Sequence, residues 1–376
     1  MSLKKVYFPN LNGLRFIAAF LVIIHHTEQL KSLFGLDSYW GVIPAVYSIG
    51  KLGIILFFVL SGFLITYLLL AEEDSFKTIK LKAFYMRRVL RIWPLYFLIL
   101  LLAFAIFPNT DLFRMPHMGN TELYSNLILK VVLFVMILPN VAVHAFGAVP
   151  FASHTWSIGV EEQFYLIWPV LLNIIKKNRI GLMIFIIIFH GVIRWYLESS
   201  VSDSIPYRDG IKGLWLTFNV NSMAIGGLFS VILYYKSKLL SLILNQVVFY
   251  LSLLVSLILL ISSIYIPYVN IEVYSVLFGL VIVNFAANPN LSVSLENKVF
   301  NYLGNISYGL YMYHTIGIVL SIRLCQATGL VTNWIIYPLC LTFTILLAGL
   351  SYKYFERYFL KFKYKFSKIL SGIHAK

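Results

Sequence analysis

Three groups of polar residues interrupt an otherwise apolar sequence, and each has a chemistry of its own. The first is Asn12-Gly13-Leu14-Arg15, followed by His25-His26. Arg15 and His26 are eleven positions apart. At 100° per residue that spacing returns to within about 20°, so on a helix both share one face, with ~16 Å of rise between them. An imidazole exchanges protons near neutral pH. The simpler alternative has Arg15 snorkelling to headgroups and His26 bonding a neighbouring helix. The second group is Lys82-Ala83-Phe84-Tyr85-Met86-Arg87-Arg88-Val89-Leu90-Arg91-Ile92-Trp93-Pro94. Arg87 and Arg91 are i,i+4, and Arg88 and Arg91 are i,i+3, which makes one cationic face. Several guanidiniums on a face suit bidentate phosphate binding, as a nucleotide-bearing ligand requires, or they anchor the chain at a membrane surface.

The third group is His154-Thr155-Trp156-Ser157-Ile158-Gly159-Val160-Glu161-Glu162-Gln163-Phe164-Tyr165. Low dielectric disfavours the charged form of a carboxyl. One of Glu161 and Glu162 is therefore a candidate proton acceptor or a partner that orients a histidine. Adjacent helical residues point about 100° apart, so only one is expected to face a site; the alternative is a helix N-terminus whose dipole favours acids. His154, Trp156 and Ser157 are candidate substrate contacts beside them. Weaker signals remain. Asn219, Asn221 and Ser222 line a cavity or join helices, and Gly226-Gly227 reads as a close helix approach. Tyr308, Tyr311, Tyr313 and His314 are interfacial or pocket-lining, while Arg194 and Arg323 are expected to reach headgroups at the outer ends. Ser61 has no base beside it in the sequence and does not read as a nucleophile. Cys325 and Cys340 read as packing residues, with no metal-ligand spacing.

The elements that must carry these residues are membrane helices. Of 376 residues, 60% are hydrophobic and only 12% charged, about half the charge of a soluble domain, and mean hydropathy is +0.84. Apolar runs of about twenty residues recur, long enough to span ~30 Å of hydrocarbon, and they show no strand alternation. They cover approximately 11–30, 48–70, 92–107, 124–143, 157–175, 180–197, 214–235, 239–264, 270–288, 299–322 and 331–352. The first carries Arg15 and has no small-residue cleavage site, so it is not a signal peptide. The net charge of +15 would suit nucleic acid, but most Lys and Arg fall at one set of helix ends, the pattern of positive-inside anchoring; no nucleic-acid partner is expected. Lys4 and Lys5, Lys77 to Arg91, Lys176 to Arg179, Lys236 and Lys238, and Lys353 to Lys368 should all be cytoplasmic. Eleven crossings cannot satisfy that set, because only two fit between Arg91 and Lys176. The expectation is an all-α integral membrane protein, a single domain over 1–376. It has ten transmembrane helices, both termini in the cytoplasm, and one re-entrant or interfacial segment at about 124–143. Irregular backbone at that depth needs a protein or water surround, so 124–160 is a candidate cavity wall.

Taken in order, these motifs resemble the membrane-bound acyltransferase family 3, which includes O-antigen and peptidoglycan O-acetylases. Leu11-Asn12-Gly13-Leu14-Arg15 with His26 is similar to that family's arginine–histidine motif. Gly53-Ile54-Ile55-Leu56-Phe57-Phe58-Val59-Leu60-Ser61-Gly62-Phe63 looks like its second-helix signature, with Ile55 where an aspartate is usual. Phe84 to Pro94 resembles its arginine motif, and Trp156-Ser157 with Val160 to Tyr165 its glutamate motif. Gly304-Asn305-Ile306-Ser307-Tyr308 and Tyr352 to Phe359, with Phe355-Glu356-Arg357, are similar to its closing elements.

The resemblance implies a ten-helix enzyme of a bacterial inner membrane that takes an acyl group, usually acetyl, from cytoplasmic acyl-CoA. It delivers that group to a hydroxyl of a cell-surface or lipid-linked glycan, with no metal. His26 would be the general base, with Glu161 or Glu162 orienting it or sharing its proton. Arg87, Arg88 and Arg91 would hold the donor's phosphates, and Arg15 would touch the donor's carbonyl or pin the first helix. Some relatives carry an extracytoplasmic hydrolase-like domain. Without one, this chain is expected to acylate its acceptor directly or through a separate partner; a homo-oligomer is open. Two other readings fit the polar path. A transporter or channel for a small anion or glycan would show inverted repeats and broken helices, and neither is visible. A catalytically silent relative would not need Arg15, His26, the arginines and the glutamate pair together.

Overall fold

The structure, a computed structural model, describes residues 5–116, 125–204, 206–367 and 369–371. Lys4, Lys368 and residue 124, on which parts of the charge and re-entrant readings rest, lie outside the described residues. The protein is an all-α integral membrane protein. Its long helices are α1 (Leu11–Leu33), α2 (Pro44–Phe76) and α3 (Leu81–Leu101), the last continuing through a π-turn at Leu102–Ile106. Then come the short α4 (Leu127–Val135) and α5 (Pro139–Phe146), α6 (Trp156–Ile174), α7 (Arg179–Glu198), α8 (Arg208–Thr217), α9 (Val220–Tyr234) and α10 (Lys238–Ile243). The chain ends with α11 (Gln246–Ile261), α12 (Asn270–Ala287), α13 (Lys298–Asn305), α14 (Ser307–Thr328), α15 (Asn333–Ser351) and α16 (Arg357–Lys363).

Among the described residues, six helical stretches are long and apolar enough to cross a bilayer: Pro44–Phe76, Leu81–Asn109, Arg179–Glu198, Arg208–Tyr234, Asn270–Ala287 and Asn333–Lys363. The expected ten would also require α1, α6, α11 and α14, which are shorter or more polar than that measure admits. The segment expected to enter and return is two short helices rather than one span. Ile137 adopts φ 59° between them, and Pro139 at the first turn of α5 cannot donate to a continuing helix.

Several of the cationic ends expected on one side meet around the acidic end of α2. Glu72 pairs with Arg87 at 2.9 Å, and Glu73 pairs with Arg179 and, at 3.6 Å, with Lys176. Asp74 accepts a hydrogen bond from Tyr234 at the end of α9. Lys5–Val6 forms a two-residue parallel ladder with Leu370–Ser371, and Val6 and Ile369 pack on Ala71 of the same helix end. Two crossings between Arg91 and Lys176 fit this arrangement. Arg194 departs from expectation. Instead of reaching headgroups it is buried and pairs with Glu272 at 2.8 Å, with Asn221 donating to the same carboxylate at 2.6 Å. A partner within the bundle lowers the cost of burying the charge more than an extended side chain would.

The core depends on close approach of α2 and α9. A methyl group at Gly62 would lie 1.9 Å from the Met223 carbonyl oxygen, and one at Gly226 would lie 2.1 Å from that of Val59. Small residues let membrane helices meet at backbone distance, as Gly226-Gly227 suggested. Replacing Gly226 by Ala forces the pair apart and should cost about 1–3 kcal/mol. Gly191→Ala is the control, since a methyl there meets nothing within 4 Å. Thermal unfolding of the detergent-solubilised protein should show a lower midpoint for Gly226→Ala and none for Gly191→Ala.

Candidate active site

A cavity of about 350 Å3 opens beside the face that carries the acidic end of α2. Its walls come from α1, α2, α3, α6 and the start of α14. Two local features bring α14 and the chain end to it. Gly304 sits so near the first turn of α1 that a methyl there would lie 2.1 Å from the Asn12 carbonyl oxygen, which brings Asn305 and Ser307 to the wall. A π-turn at Tyr352–Glu356 turns both Tyr352 and Glu356 inward; such turns recur at functional sites.

Five basic side chains, Arg15, Arg87, Arg88, Arg91 and Lys363, line the cavity against three acidic ones, Glu72, Glu161 and Glu356. They are not equivalent. Arg87 donates to Glu72 and, at 2.9 Å, to the Phe366 carbonyl. Among the described residues, Arg15, Arg88, Arg91 and Lys363 form no ion pair. Arg15 reaches only the Asn12 side-chain oxygen, at 3.3 Å. The Arg88 guanidinium lies over the rings of Tyr165 and Phe84, at 5.2 and 5.7 Å, and its buried Nε has no partner. Opposite them, Glu161 accepts hydrogen bonds from Ser61 and Tyr165. Glu162 points away and accepts from the Trp93 indole at 2.9 Å.

His26 does not line this cavity. Its Nδ1 lies 3.0 Å from the Val22 carbonyl oxygen and 3.1 Å from Nε2 of His314. The rings of His25 and His154 approach this pair, at 4.9 Å from His26 and 4.8 Å from His314 respectively. The Tyr311 hydroxyl stands between the histidines and the cavity, bonded to Ser157 Oγ at 2.7 Å and donating to the His154 carbonyl at 2.5 Å. Both Tyr311 and Ser157 line the cavity. α1 and α14 run in step: Arg15 and Tyr308 share the cavity, His26 meets His314, and Phe34 lies under Arg323 at 4.9 Å.

Arg15, Arg88, Arg91, Arg87 and Glu161 thus meet at one site, Ser157 stands in its wall, and His26 and His154 form a second group beyond it. Trp156 packs against the main apolar cluster. The expectation that Glu161 or Glu162 orients His26 finds no contact, because α6 directs one carboxyl to Ser61 and the other to Trp93. Ile55 lies in an apolar cluster with Leu11, Leu14 and Leu52. Sequence reading missed Ser61 and its carboxylate, Glu356 and Lys363 in the wall, and His314 as the partner of His26. It also missed a buried network beyond His26, where Glu28 pairs with Lys31 at 2.5 Å and accepts from Tyr337 at 2.7 Å. The i,i+3 spacing of Tyr308 and Tyr311 on α14 was a local signal for the wall, but the other partners lie far apart in sequence.

Comparison with known proteins gives the site a context. The acyltransferase domain family matches residues 8–353. A Staphylococcus aureus protein provisionally named an O-acetyltransferase is 27% identical over 95% of this chain and 58% of its own length. The peptidoglycan O-acetyltransferase of Listeria monocytogenes is 24% identical over 94% of this chain and 56% of its own. A Bacillus subtilis protein provisionally named a peptidoglycan O-acetyltransferase is 26% identical over 93% and 54%. The chain therefore spans less than three-fifths of each of these relatives. No solved structure is a significant match.

The division among the arginines is testable by stability alone. Arg87→Met strands the buried Glu72 carboxylate and should destabilise the protein by about 3–5 kcal/mol. Arg88→Met breaks no ion pair and should leave the unfolding midpoint in detergent close to that of the parent.

Proposed function

The chain belongs to the family-3 acyltransferases, and from that premise we propose that it transfers an acyl group, acetyl in the first instance, from cytoplasmic acyl-CoA to a hydroxyl of a cell-surface glycan. It is a multi-pass membrane protein; in this reading it lies in a bacterial cytoplasmic membrane, with the face bearing Glu72 to Asp74 and both chain ends inward. The observation that carries the reading is the cavity in which Arg15, Arg88, Arg91 and Lys363 converge with no ion pair among the described residues. Uncompensated cations in low dielectric are costly and mark a place for a polyanion. The phosphates of a nucleotide-bearing donor meet that need through charge-assisted, bidentate hydrogen bonds. Arg87, tied to Glu72, acts here as a brace for the mouth. Arg15 shares α1 with His26 and is the cation assigned to the donor portion nearest it.

The chemistry asked of the protein is modest. The acceptor hydroxyl oxygen attacks the thioester carbonyl carbon, its proton passes to His26, the C–S bond breaks, and the thiolate leaves and is protonated. The products are an ester and free CoA thiol. A positioned imidazole contributes typically about 10²–10⁴-fold to such a step. The histidines lie beyond the Tyr311–Ser157 wall, on the opposite side from the cationic cavity, which suits a donor and an acceptor arriving from different sides. The relatives named as peptidoglycan O-acetyltransferases support a glycan as acceptor.

Glycans from cells with and without the gene, compared by mass, test the reading. The gene should add acetyl-sized increments, and His26→Ala should fail to restore them. In membrane vesicles, Arg88→Ala and Arg91→Ala should each raise KM for acetyl-CoA about tenfold to a hundredfold, the loss of one charge-assisted hydrogen bond. Full restoration of the acetyl increments by both His26→Ala and Arg88→Ala would overturn the assignment.

A further inference from the structure

The geometry points to His314 as the positioning residue for the base, and to Nε2 of His26 as the atom that takes the proton; this rests on the proposed acyl transfer with His26 as base. A backbone carbonyl oxygen carries only lone pairs, so any ring nitrogen bonded to it must carry the proton. Nδ1 of His314 lies 2.5 Å from the Tyr311 carbonyl oxygen, so it is the N–H. The neutral ring then presents Nε2 as a lone pair. Nδ1 of His26 lies 3.0 Å from the Val22 carbonyl oxygen and is likewise an N–H. It is also 3.1 Å from Nε2 of His314. One donor thus faces one acceptor, in a three-centre bond shared between Val22 and His314. The other tautomer of either ring would set two lone pairs or two N–H groups against each other.

The consequence falls on the far side of His26. With Nδ1 protonated, Nε2 holds the lone pair, and among the described residues it makes no hydrogen bond. His26 is partly exposed, whereas His314 is fully buried and held by Tyr311 and by the rings of His26 and His154. When Nε2 takes the acceptor's proton, the resulting imidazolium gains a charge-assisted bond from Nδ1–H to His314. A carboxylate usually does this work beside a catalytic histidine. Here neither Glu161 nor Glu162 reaches it, Ile55 is apolar, and a neutral imidazole takes the place. His314 touches no substrate in this arrangement; it acts through His26 by fixing its tautomer and its orientation.

Two measurements on the full-length chain test this. In vesicles from producing cells, with acetyl-CoA as donor and the cells' own glycans as acceptor, release of CoA thiol above the His26→Ala background gives kcat and KM. His314→Ala should lower kcat by roughly a hundredfold or more, with KM for acetyl-CoA unchanged. His314→Gln, whose amide oxygen can accept the His26 N–H, should recover at least about a tenth of the parent kcat. His314→Lys, which can only donate, should fall at or below His314→Ala. A parental kcat in His314→Ala, or equal rates for the Gln and Lys variants, would overturn the assignment, and the Gln–Lys contrast decides the matter even if the Ala variant does not fold. The second measurement needs no turnover. 15N spectra of histidine-labelled protein in lipid, with His26 identified by its loss in His26→Ala, should show Nδ1–H at a pH where the ring is neutral, and a tautomer mixture in His314→Lys. An Nε2–H tautomer in the parent would sink the inference whether or not the protein is an acyltransferase. Conversely, the Nδ1–H tautomer in a protein with no acyl transfer would leave the pairing standing and remove the function.

Discussion

A charge inside a membrane bundle is tolerable only when something meets it, and how this chain meets each charge organises the rest of the structure. Glu73 takes Arg179 and Lys176, Glu272 takes Arg194, Glu28 takes Lys31, and Glu72 takes Arg87. Every one of those pairs, except the one within α1, joins two helices or a helix and its neighbouring loop. Breaking one leaves a buried charge behind, which costs far more than the pair contributes. Among the described residues, the same accounting isolates Arg15, Arg88, Arg91 and Lys363, the cavity cations with no ion pair. Cations left open in this way are what the proposed polyanionic donor would require.

Their convergence is a matter of helix ends. α1, α3, α6 and α14 line one volume from their first turns, and α2 lines it from its middle and last turns. The acidic end of α2 fixes those ends laterally, and the Gly62–Gly226 approach sets α2 firmly against α9 behind the cavity. Gly304 does the same for α13 against α1. The π-turn after α15 then supplies Glu356 and Tyr352, and α16 supplies Lys363, from the far end of the chain. The cavity is thus closed by residues that are more than three hundred positions apart in sequence.

That separation explains what sequence could and could not disclose. Helical periodicity and the cost of charge in lipid single out Arg15, His26, the arginine face and the glutamate pair, because those signals are local. The lateral grouping of positively charged ends also follows from local counting, as does the expectation that only one of Glu161 and Glu162 faces the site. Partner choice is not local. Nothing near Ser61 announces Glu161, a hundred residues on, and nothing near Arg194 announces Glu272. A carboxylate is the commoner partner for a histidine, yet the direction of α6 sends both acids away from His26. His314 stood in the sequence as one more polar residue on an apolar helix, and its role depends on α1 and α14 running in step.

In the proposed acyl transfer, the separation of the two groups of polar residues has an electrostatic reason. Protonated His26 carries a positive charge, and the cavity already holds several. At an effective dielectric of about 20, two unit charges 4 Å apart repel by about 4 kcal/mol, but at ~16 Å, the rise along α1 from Arg15 to His26, by only about 1 kcal/mol. A base set among the arginines would bear the larger figure several times over, and the proton transfer would be correspondingly disfavoured. Eleven residues of helix reduce that penalty to a size that one charge-assisted hydrogen bond to His314 can offset. A neutral partner also has an advantage that a carboxylate would lack: before the proton arrives, it leaves no uncompensated anion in the bundle. The spacing between Arg15 and His26 is therefore more than a reach across the membrane. In the proposed reading it lets one helix hold a polyanion at one end and generate a cation at the other.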